Sequence, residues 1–131
     1  MPFDGANVLP TVADKMMDVL GPNGENWMRG MLHNGQGKHC MLGALEIVAG
    51  ANRPEHMRAL ERACGVVSHV QGYYLGYGSF GQGEAVPVPL FNNTNPDGFR
   101  GVKAALEVFK ADELDGRRRV SEHARKISGL A

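Results

Sequence analysis

Apolar residues recur at helical spacing along most of the chain. Leu9, Val12, Ala13, Met16, Val19 and Leu20 form one face of a segment whose other face carries Asp14, Lys15 and Asp18, which predicts an amphipathic helix over residues 9–20. Pro10 suits its first turn and Gly21-Pro22 supply a stop. Residues 40–49 hold Met41, Leu42, Ala44, Leu45, Ile47, Val48 and Ala49 with Glu46 as their one charge, the pattern of a buried helix ended by Gly50. Gly43 inside it costs about 1 kcal/mol relative to Ala, so a close-packed neighbour is expected there. Pro54 opens a third helix, with Met57, Leu60, Cys64 and Val67 inward and Glu55, Arg58, Glu61 and Arg62 outward.

Between these elements the periodicity fails. Residues 22–38 are rich in Gly and Asn, and predict an irregular connection with at most one short strand pair, folded over the core through Trp27. Residues 72–83 hold five of the glycines, all three tyrosines and Phe80, predicting a long Gly/Tyr-rich loop. Residues 86–91 alternate apolar positions with Pro87 and Pro89, which predicts an extended edge segment. A helix follows, capped by Thr94 or Asn95 and begun by Pro96, with Phe99, Val102, Leu106 and Phe109 on one face; it should end near Gly116, before a last helix through Val120, Ala124 and Ile127. The expected fold is mainly α: a single compact domain of four to five short helices over residues 1–131, with minor extended segments and the basic stretch 116–131 integral or appended.

Composition narrows the function classes. A chain of 131 residues buries enough surface for a core without disulfides, and its two cysteines, together with no basic-plus-apolar leader, fit a cytoplasmic protein. No run approaches the ~20 apolar residues of a membrane span. With 14 basic and 14 acidic residues the formal charge is zero, which argues against nucleic-acid binding by the whole surface. That zero is uneven: residues 116–131 carry five Lys/Arg against Glu122, so the segment is +4 and the remainder −4. Three consecutive arginines suit phosphates or an acidic protein, or simply a solvated helix end beside the acidic run at Asp112, Glu113 and Asp115.

Candidate chemistry centres on Cys40. A thiol at a helix N-terminus faces the positive end of the dipole, and His39 stands beside it. A cysteine-dependent hydrolase or transferase would use Cys40 as nucleophile, a histidine brought by the fold (His56, His69 or His123) as base, and Asn92 to orient that base. The simpler reading makes Cys40 a small buried hydrophobe and Asn92 a turn or cap residue. No metal or cofactor site is expected: His33, His39, Cys40, Cys64 and His69 lack metal-ligand spacing, and the Gly-x-Gly-x-x-Gly at residues 76–81 does not join a buried strand to a helix. The tyrosines point instead to a recognition surface for a protein partner, formed by Tyr73, Tyr74, Tyr77 and Phe80 on a glycine-rich segment.

Trp27, the Gly37-x-x-Cys40-x-x-Gly43-Ala44-Leu45 helix start and the Phe91-Asn92-Asn93 segment together resemble a family of small uncharacterised proteins of actinobacteria and their phages. The anchors run from about the first helix to Phe109. Asn93 departs from the aspartate usual in that pattern, which removes a charge from the position. The resemblance implies a bacterial cytoplasm, or a host cytoplasm for a phage protein, and carries no established activity. The expectation that follows is a non-enzymatic interaction or regulatory protein, with the Cys40 enzyme as the alternative.

Overall fold

The computed structural model describes residues 9–50, 54–75 and 83–128. Five helices follow in chain order: α1 (Val12–Leu20), α2 (Met41–Ala49), α3 (Pro54–Gln71), α4 (Val88–Thr94) and α5 (Phe99–Ser128). α5 lies along α3 on one side and α1 on the other, α1 also packs on α2, and α4 closes the end between α2 and α3. The shared core holds Met16 and Leu20 of α1, Met41 and Leu45 of α2, Leu60 and Cys64 of α3, Phe91 of α4, and Val102, Leu106 and Phe109 of α5. Burying each large side chain is worth about 1.5–3 kcal/mol, so packing rather than propensity holds the shorter helices.

α1 starts later than its apolar pattern suggests, because Thr11 forms a capping box. Its hydroxyl accepts the Asp14 N–H at 3.0 Å, and the Asp14 carboxylate accepts the Thr11 N–H at 2.9 Å. Pro10 therefore precedes the helix rather than occupying its first turn. α2 is capped by Cys40, whose sulfur accepts the Gly43 N–H at 3.3 Å. The close neighbour expected at Gly43 is the carbonyl oxygen of Leu32, which a Cβ there would strike. That carbonyl also accepts the Cys40 N–H at 3.2 Å, so the loop before α2 is seated on the helix that follows it.

Two expectations are corrected. Residues 86–91 are not an edge strand: α4 starts at Val88 with Pro89 in its first turn, where a missing N–H leaves no helix bond unmade. Pro87 stands at the N-cap, and Val86 just before it is buried and donates its N–H to the Glu61 carbonyl at 3.1 Å. The second correction concerns α5, which begins after a turn at residues 96–98 and then runs unbroken through Gly116 for 30 residues. Charge pairs at helical spacing span the glycine, Arg117 with Glu113 at 2.9 Å, Arg118 with Asp115 at 2.7 Å and Arg119 with Asp115 at 3.0 Å, and Arg118 also reaches Glu122 at 3.0 Å in the turn beyond it. Each pair is exposed and individually weak, but all of them favour the helical spacing at the point where glycine disfavours it. The helices are thus not all short, and the basic segment is the distal part of α5.

Residues 22–39 form the irregular connection expected, with isolated bridges pairing Trp27 and His33 each with His39. Among the described residues no helix is long and apolar enough to cross a membrane.

Candidate functional site

Asn92 is completely buried and sits at the meeting point of α4, α2 and the Trp27 loop. Its Oδ1 accepts the Trp27 indole N–H at 2.7 Å and the Met41 N–H at 3.0 Å, while Nδ2 donates to the Met28 carbonyl at 3.1 Å and to Asn93 Oδ1 at 3.0 Å. A carboxamide offers two donor hydrogens and two acceptor lone pairs, so all four are engaged. Arg29 adds to the same knot. Its guanidinium donates to the carbonyls of Asn92 at 3.3 Å and Asn95 at 2.6 Å, satisfying the end of α4, and lies 5.5 Å from the Trp27 ring centre. Asn93 Oδ1 accepts the Gly30 N–H at 2.9 Å, a role that needs an acceptor oxygen and no charge.

The fold brings Cys40, His39 and Asn92 into one region, but not as a nucleophile, base and orienting group. Asn92 spends its amide on Trp27, Met41, Met28 and Asn93, leaving nothing for a histidine. His39 turns its Nδ1 to His33 Nδ1 at 2.8 Å, and His33 Nε2 reaches Glu46 Oε1 at 3.2 Å. Partial burial, with the neighbouring His33 adding to it, holds His39 below the ordinary histidine value. His56 packs its ring edge-on against Phe109. Cys40, a buried residue, borders a cavity of about 290 Å³ lined also by Met31, Leu32, Leu42, Pro89 and Asn93. Cys64 is fully buried, and burial pushes its thiol far up. Among the described residues no group of three or more His, Cys, Asp or Glu is placed to hold a metal ion.

The aromatic candidates separate. Tyr73 is a core residue: its ring is buried against Phe91 and its hydroxyl donates to Asp97 Oδ2 at 2.6 Å. Burial and the Asp97 carboxylate push that phenol up to about 12. Tyr74 points outward and is 70 % exposed. Tyr77 and Phe80 lie outside the described residues.

Sequence reasoning missed an apolar surface on the outer side of α3. Val66 and Val70 there are 45 % and 71 % exposed. Beside them a groove of about 380 Å³ runs between α3 and α5, with Val67 in its floor and Ala104, Val108 and Ala111 along its far wall. The signal was present: Val66 and Val70 fall off the Met57–Leu60–Cys64–Val67 stripe, and a second apolar line on one helix is what a half-covered helix shows.

Set against known proteins, the chain matches no family model, no curated protein and no solved structure.

Proposed function

We propose that the chain acts by binding another protein rather than by catalysis, as an accessory or regulatory factor of the phage or actinobacterial kind that its Trp27, Cys40 and Asn92 pattern resembles. The observation that carries this reading is the exposed pair Val66 and Val70 on the wall of the α3/α5 groove. Isolated apolar residues on a surface need no explanation, whereas exposed valines lining an apolar groove form a patch of the kind used to seat a partner's apolar helix or loop. Tyr74, exposed just beyond the end of α3, offers a large contact area with little side-chain entropy to lose.

The alternatives have less behind them. A cysteine enzyme needs a base and an orienting group, and Asn92 is fully engaged elsewhere. A nucleic-acid role for the basic segment needs available guanidinium groups, whereas Arg117 is held by the Leu9 and Pro10 carbonyls and Glu113, and Arg118 and Arg119 by Asp115 and Glu122.

The test compares capture of cellular proteins by the parent chain, by a Val70→Glu/Tyr74→Ala variant and by Cys40→Ser. The reading expects one saturable partner retained by the parent and by Cys40→Ser and lost in the groove variant, whose melting temperature stays within 2–3 °C of the parent, about the shift of a sub-kcal/mol change. Loss of cellular activity on Cys40→Ser, with the groove variant unaffected, overturns it.

A further inference from the structure

His33 and His39 face each other across an antiparallel bridge at the base of the hairpin that precedes α2. Their Nδ1 atoms are 2.8 Å apart with the ring centres 5.0 Å apart, so both nitrogens lie near the line joining the rings and the contact is head-on. Such a contact holds one hydrogen: one nitrogen donates and the other must present a lone pair. His33 uses its other nitrogen on Glu46 of α2 at 3.2 Å, and an ionised carboxylate only accepts, so His33 Nε2 carries a hydrogen. The neutral pair meets both demands when His39 donates its Nδ1–H to the His33 Nδ1 lone pair. One extra proton is also accommodated: His33, beside Glu46, takes it and carries hydrogens on both nitrogens, His39 turns the lone pair of its Nδ1 to His33 and keeps its hydrogen on Nε2, and a single hydrogen still lies between the rings. A second extra proton places N–H groups on both facing nitrogens, and the contact becomes a collision between two cations.

The contact bears on more than the two rings. His33 Cε1 stands against α2 at Gly43, and the adjoining Leu32 carbonyl holds the Cys40 N–H at 3.2 Å. The hairpin itself is light, with the Asn34 N–H on the Lys38 carbonyl at 3.1 Å and the Asn34 side chain accepting the N–H groups of Gln36 and Lys38. Met31 and Leu32, at its start, form one wall of the cavity beside Cys40. Of the ionisable neighbours, Glu46 from α2 faces His33 and favours the first proton, Lys38 and the buried Cys40 flank His39 in the chain, and Trp27, bridged to His39 through backbone, brings no charge.

We propose that the His33–His39 contact is an acid-sensitive latch, and that a second proton on the pair frees the hairpin of residues 31–39 from α2 and opens the cavity beside Cys40. The pH window follows from His39. Its closed-state affinity for a proton is below that of an open, solvated histidine, so the open form binds more protons as the pH falls. Closure is complete above the ordinary histidine value near 6.5 and is lost as the pH drops through the lowered one.

The experiment labels the full chain with 4,4′-dithiodipyridine between pH 7.5 and 4.5, resolves Cys40 from Cys64 by peptide mass, and divides each rate by that of the unfolded chain at the same pH. Thiol reactivity ordinarily falls with acid because the thiolate is the nucleophile. The latch instead makes the relative rate at Cys40 rise by up to about tenfold per pH unit, the limit for one linked proton, with Cys64 silent. His39→Gln removes the response. Glu46→Gln, which takes away the group that favours the first proton, moves it to higher pH and carries the test if His39→Gln fails to fold. A flat profile in the parent, the same profile in both variants, or Cys64 reacting in step with Cys40 overturns the latch.

Discussion

The indole N–H of Trp27 and the backbone N–H of Met41 share one oxygen, Oδ1 of Asn92, at 2.7 and 3.0 Å. Three segments far apart in the chain therefore depend on one carboxamide, and its removal leaves several buried partners unpaired at once.

Asn92→Ala is expected to destabilise the fold by about 3 kcal/mol or more, because each buried donor or acceptor left unpaired costs about 1–3 kcal/mol. Trp27→Phe keeps an aromatic ring near Phe99 but removes the indole donor and part of the ring under Arg29, so a loss of about 1–2 kcal/mol or more is expected. Urea unfolding of both single variants and the double variant measures the coupling. A double variant no worse than Asn92→Ala alone shows that Trp27 contributes its polar part through Asn92.

Three helical glycines should answer differently to alanine. At Gly43 a Cβ meets the Leu32 carbonyl, and at Gly65 it meets the Glu84 carbonyl, so backbone would have to move. Both substitutions should cost about 1–3 kcal/mol despite alanine's better helix propensity. Gly116 has nothing within 4 Å of its absent side chain, and Gly116→Ala should stabilise the protein by about 0.5–1 kcal/mol. Thermal melts of the three variants give the signs directly.

Tyr73 gives an alkaline limit. Its phenol is raised by burial and by the Asp97 carboxylate, to about 12 against an ordinary value near 10. The unfolded chain therefore loses its proton first. The stabilisation from this group is complete below pH 10 and is lost as the pH rises through about 12. Ultraviolet titration should show a phenolate that appears only near pH 12 and is missing from Tyr73→Phe, and the same variant should flatten the fall in stability above pH 10.

The helical class and the core were legible because burial leaves its mark on periodicity: the Met57–Leu60–Cys64–Val67 and Val102–Leu106–Phe109 lines lie where the pattern puts them. Gly43 was legible too, as a cost with no local benefit. Pro87 and Pro89 misled because proline is equally at home on a strand edge and in a first helical turn, and only the tertiary position of Val86 and Val88 decides between them. Gly116 misled in the other direction, since the helix runs on through a break expected from propensity, where ion pairs at three- and four-residue spacing favour it. Of the site, Asn92 and Cys40 were visible as residues but not as partners. Nothing in a linear sequence tells whether Asn92 will face a histidine or an indole, and the meeting of His33 with His39 depends on a hairpin register that no alternation of apolar and polar residues encodes.

α5 extends for about 45 Å, half as long again as the width of a small domain, and its residues 118–121 and 123–127 stand in solvent. Those positions behave as a mast: a probe attached at Ser121 or Ile127 reports rotation of the whole molecule while touching none of its packing. The mast also carries Arg118 and Arg119 between Asp115 and Glu122, a lattice whose charges cancel, so that an approaching surface meets alternating signs along it rather than one net sign.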